Sequence, residues 1–229
     1  GALAGLGLLF PLYTATGLAI VAVIIIARYL PNDRSAAGRQ KDQKKLAAFD
    51  KRIRALLMCS VCAFTGFAGI QQTLAFRLQD MLLLTCTESA QHMGICLMVA
   101  ALMTLTMQLT IAQRFQGAPV ILLRIGVVLM LLGSLIVAAA SSFAPILVGM
   151  ASMGAGLGLA APGIAAGASL AVTPQEQGSV AGLVTAFPAA GFVLGPVICG
   201  SLYTYDPTMS ALSASIMLLV ALFIALGGS

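Results

Sequence analysis

Charged residues are scarce in this sequence: they make up 8% of its 229 residues, whereas hydrophobic residues make up 60%. Soluble domains carry roughly 25% charged residues, so the chain lacks the polar surface that a water-soluble fold needs. The mean hydropathy of +1.03 agrees with this shortage. The composition therefore excludes an ordinary soluble domain and predicts a membrane protein.

Catalytic and metal-binding side chains are also sparse. The chain has one histidine, His92, and its acidic residues avoid the middle of every long apolar stretch. Intramembrane metalloproteases need clustered histidine and carboxylate, and aspartyl types need two aspartates within spans; no phosphate-binding P-loop occurs either. Cys59 and Cys62 have the spacing of a redox or metal pair, but no second pair accompanies them, so we expect them to be small buried apolar residues. We therefore expect neither an enzyme nor a bound metal or cofactor.

What the sequence has instead is apolar stretches of the length that crosses a bilayer, about 20 residues. Seven of them cover residues 8–28, 55–77, 92–113, 121–141, 145–171, 179–203 and 208–227. The fourth and fifth share one uncharged run, which we divide at "SSFAP" because this pattern is typical of a turn followed by a helix start. The alternating segments of a membrane barrel are missing. The sequence therefore predicts an all-α membrane protein with seven transmembrane helices.

The distribution of basic residues predicts the topology. Nine of the twelve lysines and arginines lie between Arg28 and Arg54, and Arg114 and Arg124 flank the connection after the third span. Because such residues mark cytoplasmic loops, we expect the N-terminus outside and the C-terminus in the cytoplasm of a bacterial inner membrane. The apolar opening "GALAGLGLLFPLY" lacks both an initiator methionine and a signal peptide, so we expect a fragment of a larger membrane protein.

Three parts follow from this pattern. They are a transmembrane helix at 1–28, a basic cytoplasmic linker at 29–54 and a six-helix transmembrane bundle at 55–229. Within the linker, Leu46, Phe49 and Ile53 have helical spacing among basic residues, which predicts an amphipathic helix on the inner leaflet. A nucleic-acid partner is the weaker interpretation of this basic run, and the expected partner is the lipid bilayer.

Small residues form stripes in the fifth and sixth spans, and such stripes let helices approach closely inside a membrane. One stripe comprises Gly149, Ser152, Gly156, Ala160, Gly163 and Gly167, and the other comprises Pro188, Gly191, Gly195 and Cys199. Pro162, Pro188 and Pro196 each leave a backbone carbonyl without its helical donor. Since a bilayer tolerates such carbonyls only where protein, water or a substrate path satisfies them, we expect kinked helices at an interface or a cavity. A static kink and a moving gate both remain open.

The segment "GFVLGPVICG" resembles the Gly-x-x-x-Gly-Pro-x-x-Gly-Gly element of antiporters of the major facilitator superfamily. Gly191, Gly195, Pro196 and Gly200 match that element, whereas Cys199 replaces the first of its paired glycines. The segment "TPQEQGSVAGLVTAFPAAGF" is similar to the start of the eleventh span in many twelve-span exporters.

A second resemblance lies in "AQRFQGAPVILLRIG", which is similar to a degraded copy of the cytoplasmic Gly-x-x-x-Asp-Arg-x-Gly-Arg-Arg loop. Arg114 and Gly117 survive from it, Gln113 stands where the aspartate belongs, and Arg124 lies in the same segment. Together the resemblances imply spans six to twelve of the drug:proton antiporter branch. They further imply that the first span closes a missing N-terminal six-helix half and that the last six form the C-terminal bundle of a major facilitator fold.

Candidates for substrate contact are uncharged side chains inside the spans. They are Gln71, Gln72, Gln108, Thr185 and Tyr13, with Phe187 as a candidate cavity wall. The glutamines should face the bundle interior, because each brings two donors and an acceptor into hydrocarbon. Interhelical hydrogen bonding is the alternative role for the polar groups, and packing is the alternative for Phe187.

The few charged residues near span ends have simpler expected roles. Arg77 precedes Asp80 by three residues, a spacing that predicts an ion pair at the outer surface. We expect His92 to be an interface residue and Arg124 to reach the inner surface along its apolar stem.

The predicted function is secondary active transport. The resemblance implies export of a small amphipathic compound or drug, driven by the proton gradient, with the coupling carboxylate in the missing half. A siderophore or metabolite exporter of the same superfamily is the first alternative, and a seven-span membrane receptor is the second. Against the receptor interpretation, the last span has no lysine that could bind retinal, and no acidic-arginine switch follows the third span.

Overall fold

The computed structural model describes residues 10–29, 46–47 and 50–227, and within them the chain forms helices joined by short turns, with no strand. The helices are α1 (Phe10–Tyr29), α2 (Arg54–Leu82), α3 (Cys86–Thr110), α4 (Pro119–Ala139), α5 (Phe143–Leu170), α6 (Gln177–Tyr203) and α7 (Pro207–Gly227). A 3-10 turn, Ala112–Arg114, follows α3. In these ranges the prediction of an all-helical chain with seven helices is confirmed.

The boundary between the second and third predicted spans differs from the structure. The sequence places it at residues 77–92, whereas α2 continues to Leu82 and α3 begins at Cys86. The early start of α3 comes from a capping box, in which the Thr85 hydroxyl accepts from the Glu88 N–H and the Glu88 carboxylate accepts from the Thr85 N–H at 2.9 Å. Charged residues therefore lie inside the helix ends and do not mark the boundary, and Glu88 among them is stabilised by the cap.

The six helices α2 to α7 form one bundle. We call the end where α2, α4 and α6 begin the basic end, because Arg54, Arg114 and Arg124 lie there. Helix α2 packs on α6 and α7, helix α5 packs on α3 and α4, and α4 also contacts α7. Of the apolar segments, 56% is buried in α2 and in α5, against 11% in α3 and 17% in α6. The bundle thus has a buried centre and an open face along α3 and α6.

Large apolar side chains fill the middle of the bundle. The fully buried ones include Leu57, Leu74, Leu123, Met130, Ile146, Met150, Met153 and Leu218. Because lipid tails are as apolar as leucine, the stabilisation from these contacts comes from dense packing more than from removal of water.

Helix α1 stands apart from this bundle. From Tyr13 to Tyr29 every side chain except that of Thr14 is exposed. An apolar helix exposed to this extent among the described residues needs lipid or a further protein segment to cover it.

The end of the linker differs from the predicted amphipathic helix on the leaflet. Residues 51–53 form a turn, and Ile53 is fully buried in a cluster with Leu57, Ala168 and Val180. Leu46 packs on the same cluster, and its N–H donates to the Ser179 hydroxyl at 3.0 Å. Phe49, the third apolar residue of the predicted helix, lies outside the described residues. The apolar spacing therefore marks packing on the bundle, because a pocket between α2, α5 and α6 receives Ile53.

Candidate functional site

The "GFVLGPVICG" segment packs backbone to backbone on α2. A Cβ atom at Gly195 would lie 2.6 Å from the Thr65 carbonyl oxygen and 2.7 Å from the Gly69 nitrogen. A Cβ atom at Gly191 would lie 2.8 Å from the Thr65 nitrogen and 2.9 Å from the Val61 carbonyl oxygen. Since side chains do not fit at such distances, only glycine allows α6 and α2 to touch at these two positions.

Cys199 continues the same face of α6, and its departure from the antiporter element has a local explanation. The Cys199 thiol is buried and occupies the space that the missing side chain of Gly69 leaves on α2. The thiol also contacts the Ser213 hydroxyl of α7 at 3.4 Å. A small residue on α2 thus compensates for the larger one on α6.

The last glycine of the element lies elsewhere. A Cβ atom at Gly200 would meet nothing within 4 Å, and the same holds for Gly182 at the other end of α6. Gly191 and Gly195 therefore form the helix contact, and Gly200 does not take part in it.

The three prolines lie within continuous helices. Helix α6 continues through Pro188 and Pro196, and α5 continues through Pro162. All three are half-buried. Their role as kinks or as parts of a gate stays a prediction.

The second stripe of small residues faces α4, which contributes glycines of its own. A Cβ atom at Gly126 would lie 2.5 Å from the Ala160 nitrogen and 2.6 Å from the Gly156 carbonyl oxygen. A Cβ atom at Gly149 would lie 2.7 Å from the Gly133 carbonyl oxygen. Glycine on both helices therefore brings α4 and α5 into contact along much of their length.

This contact loosens toward the basic end. A Cβ atom at Gly163 would lie 2.8 Å from the Leu123 nitrogen, whereas one at Gly167 would lie 3.3 Å from the nearest atom, in the Leu56 side chain. The last glycine of the stripe therefore faces side chains, chiefly that of Leu56 on α2, instead of a helix backbone.

Two of the substrate-contact candidates lie on grooves beside α6. The first, Gln72, is exposed, which contradicts the expectation that it faces the interior. It shares a groove of about 290 Å³ between α2 and α6 with Thr73, Phe76, Gly200, Tyr203 and Thr204. The glutamine can point outward because α6 leaves this edge of α2 uncovered.

The second, Thr185, lies on a groove of about 340 Å³ between α5 and α6, near the basic end. The other residues of this groove are Ala165, Ser169, Gln177, Val180, Ala181 and Val184. The Thr185 hydroxyl donates to the Ala181 carbonyl at 2.9 Å, as threonines in helices commonly do. Phe187 does not line this groove and packs half-buried on the Ile53 cluster.

The remaining candidates are dispersed. Gln71 and Gln108 are half-buried on α2 and α3, and Tyr13 is 68% exposed on α1. The structure therefore brings Gln72 and Gly200 together and leaves the other predicted contacts apart.

The predicted ion pair between Arg77 and Asp80 does not form. The Arg77 guanidinium instead donates to the carbonyl oxygens of Ala138 at 2.9 Å, Ala140 at 3.3 Å and Pro207 at 3.3 Å. Arg77 thus joins α2 to the α4–α5 connection and to the start of α7. Backbone acceptors bind its two terminal nitrogens because three chain segments end around the guanidinium, whereas its buried Nε has no hydrogen-bond partner among the described residues. Sequence spacing does not reveal this arrangement.

Asp80 has a different partner. The Tyr203 hydroxyl of α6 donates to its carboxylate at 2.6 Å. This bond joins α2 and α6 at the end of the bundle opposite the basic end.

The candidate loop motif carries little interaction of its own. Arg114 is exposed and forms no ion pair with any residue that the structure describes, and Gly117 lies against the Phe115 ring. Arg124 donates from Nε to the Ala225 carbonyl at 3.0 Å, which caps the last turn of α7.

A contact that sequence reasoning missed ties the linker to α6. Arg52 donates to both carboxylate oxygens of Glu176, at 3.0 and 3.1 Å, and to the Asp50 carboxylate at 3.0 Å. The Thr173 hydroxyl also donates to Glu176 at 2.9 Å. The hydrogen bonds from Arg52, followed by those from Thr173, lower the pKa of Glu176 to about 2. The only sequence signal was an isolated carboxylate at the end of the bundle that carries the arginines.

No group of three or more histidine, cysteine or acidic side chains that could hold a metal ion occurs among the described residues. Six helices are long and apolar enough to cross a membrane by length and composition. These helices define the class, a helical membrane protein. No family model matches the sequence, and no curated protein matches it.

Proposed function

We propose that this chain is the C-terminal part of a secondary active transporter of the major facilitator type. In this proposal it exports a small amphipathic compound against proton entry by alternating access. The proposal rests on the arrangement of the helices together with the sequence element on α6.

The observation that carries the proposal is an internal repeat in the helix contacts. In this repeat α2 corresponds to α5, α3 to α6, and α4 to α7. Helix α2 contacts α6 and α7, and its counterpart α5 contacts α3 and α4 in the same way. The contact between α4 and α7 maps onto itself. Because α2 begins at the basic end and α5 begins at the opposite end, the two triplets are inverted, as in the halves of major facilitator transporters.

Both helix pairs of the repeat touch through a glycine, which lies on the peripheral helix α6 in one pair and on the central helix α5 in the other. Gly195 of α6 lies against the Thr65 carbonyl of α2, and Gly158 of α5 lies against the Thr104 carbonyl of α3, each with a hypothetical Cβ–O distance of 2.6 Å. Both peripheral helices are therefore held to the central ones by contacts that admit no side chain. Such contacts suit helices that move as one rigid body.

The open face of the bundle supports a missing counterpart. It includes the exposed sides of α3 and α6 with the grooves at Gln72 and Thr185. In the proposal, a second six-helix bundle covers this face, and a substrate path lies between the two. The exposure of α1 among the described residues favours the same arrangement and disfavours a seven-span receptor, in which the first helix would pack into the bundle.

Proton coupling would require a carboxylate outside the described spans. Asp80, Glu88 and Asp206 lie at one end of the described bundle and Glu176 lies at the other. Since coupling normally uses an ionisable group within the membrane, the proposal places it in the other half.

The test uses inner-membrane vesicles that carry the chain with or without the upstream half of its protein. Collapse of a proton gradient is followed on addition of lipophilic cations and of siderophores. A response that requires both halves is the expected result. Absence of a response with both halves would contradict proton-coupled export and favour the receptor or an ion-independent carrier.

A matched pair of variants tests the role of α6 in the same vesicles. Gly195→Leu should abolish transport while membrane insertion is retained, because leucine cannot enter the contact with Thr65. Gly182→Leu adds the same volume on the same helix, where nothing lies within 4 Å and outside both grooves, and should retain transport. Equal transport rates in the two variants would count against the interface argument.

A further inference from the structure

A cavity of about 530 Å³ opens at the basic end of the bundle, among α2, α4, α5 and α7. Its wall is mainly apolar and includes Leu56, Pro119, Val120, Leu123, Leu170 and Ile224. The cavity is separate from the grooves beside α6, because it shares no lining residue with them.

Basic residues line the same cavity. Lys51, Arg52 and Arg54 contribute to it, whereas no carboxylate from the described part of the chain does. Arg52 is engaged by Asp50 and Glu176, but Lys51 and Arg54 are exposed and form no ion pair with any described residue. Within the described part of the chain, two cations therefore remain uncompensated beside an apolar cavity.

The depth of the cavity limits what can fill it. It lies where four membrane-length helices begin or end, which is the level of lipid headgroups if the bundle spans a bilayer. Basic pockets between transmembrane helices bind anionic headgroups. A free phosphate ion would satisfy the cations but leave the apolar wall unfilled. The chain's own residues 30–45 carry five further basic residues against two acidic ones, Asp33 and Asp42, so the net positive charge of this segment disfavours it as the occupant.

We propose that this cavity binds an anionic phospholipid, with its headgroup at Lys51 and Arg54 and an acyl chain along the wall formed by α4, α5 and α7. The site is independent of transport and does not require the proposed substrate path.

The test measures binding of dioleoylphosphatidylglycerol to the full chain in detergent by native mass spectrometry, with dioleoylphosphatidylcholine as the uncharged comparison. A variant with both Lys51→Gln and Arg54→Gln should weaken binding of the anionic lipid about 25-fold, at about five-fold per cation. Val120→Phe should also weaken it by filling the cavity. Arg114→Gln removes an exposed charge at the same end, outside the cavity, and should change the affinity less than two-fold.

Each outcome decides the proposal. Equal affinity for the two lipids, or an equal loss in Arg114→Gln and in the double variant, would overturn it. Lipid binding could also be unchanged in Val120→Phe while this variant keeps its melting temperature in phosphatidylcholine micelles. This result would overturn the proposal too, since lipid binding would then depend on surface charge and not on the cavity. Glycerol 1-phosphate should not displace the lipid at equal concentration; displacement would show a soluble-anion site instead.

Discussion

Helices α5 and α6 carry similar stripes of small residues, yet they occupy different surroundings. The stripe of α5 lies against the backbone of α4, and another face of α5 meets α3 through Gly154 and Gly158. The stripe of α6 lies against α2, while Val193 and Val197 of α6 are exposed by more than 60%. A small-residue pattern therefore predicts that one face of a helix is in close contact, but not what covers the other faces.

The largest expected change in stability comes from placing a leucine side chain in the helix contact of α5 and, separately, in that of α6. Gly156→Leu should lower the free energy of unfolding by about 3 kcal/mol or more, because α5 is enclosed and cannot move away from α4. Gly195→Leu should cost about 1 to 3 kcal/mol, since α6 can shift toward its open face. Unfolding in mixed micelles measures both. A larger loss in Gly195→Leu than in Gly156→Leu would contradict the difference between the two helices.

Next in size is the removal of Arg77. Arg77→Gln should destabilise the fold by about 2 kcal/mol, because hydrogen bonds from a charged donor to the Ala138, Ala140 and Pro207 carbonyls are lost. The same unfolding measurement applies, with Arg114→Gln as the control for a change of charge. Arg77 fastens the α4–α5 connection to α2, so the loss should enhance exchange of amide hydrogens in that connection more than in α6. Equal exchange in both regions would argue against a local clamp.

Smaller changes in stability, of opposite sign, are expected on substituting alanine for a glycine in a helix contact, Gly156, and for one outside any contact, Gly200. Gly200→Ala should stabilise the chain by up to ~1 kcal/mol, because alanine favours a helix and its Cβ atom meets nothing. Gly156→Ala should destabilise it despite the same helical gain, since its Cβ atom would press on Met130 and on the Gly126 carbonyl. The two melting temperatures should move in opposite directions. A rise in both would mean that α4 and α5 can separate without cost.

The smallest effect concerns the linker and acid pH. The pKa of Glu176 is about 2 in the folded chain, below its ordinary value of 4.5. The folded state therefore binds this proton less tightly than the unfolded state, and the stabilisation from Arg52 is present above pH 4.5 and lost as pH falls toward 2. Glu176→Gln should melt slightly below the wild-type chain at pH 6, and the difference should vanish near pH 2. A difference independent of pH would exclude the carboxylate as its cause.

Local patterns predicted much of the helical architecture and less of the candidate site. The length of the apolar stretches located all seven helices. The boundary between α2 and α3 was predicted wrongly, because it was inferred from charged residues, whereas a capping box sets the start of α3. The spacing of Arg77 and Asp80 suggested one ion pair, whereas each side chain has a partner on a distant segment. Gln72 was expected to face the bundle interior because it lies within a span. It is exposed instead, because α6 leaves that edge of α2 uncovered.

The sequence by itself determined that this is a helical membrane protein, because hydrophobic length and backbone hydrogen bonding leave a chain of this composition few other folds. It also determined that α5 and α6 present faces of small residues. Only the tertiary structure decided which helices meet those faces, that Cys199 is matched by Gly69, and that the linker docks through Ile53 and Arg52. The pairings of Gly195 with Thr65, of Cys199 with Gly69 and of Arg52 with Glu176 join residues more than a hundred positions apart, and no local pattern in the sequence encodes such contacts.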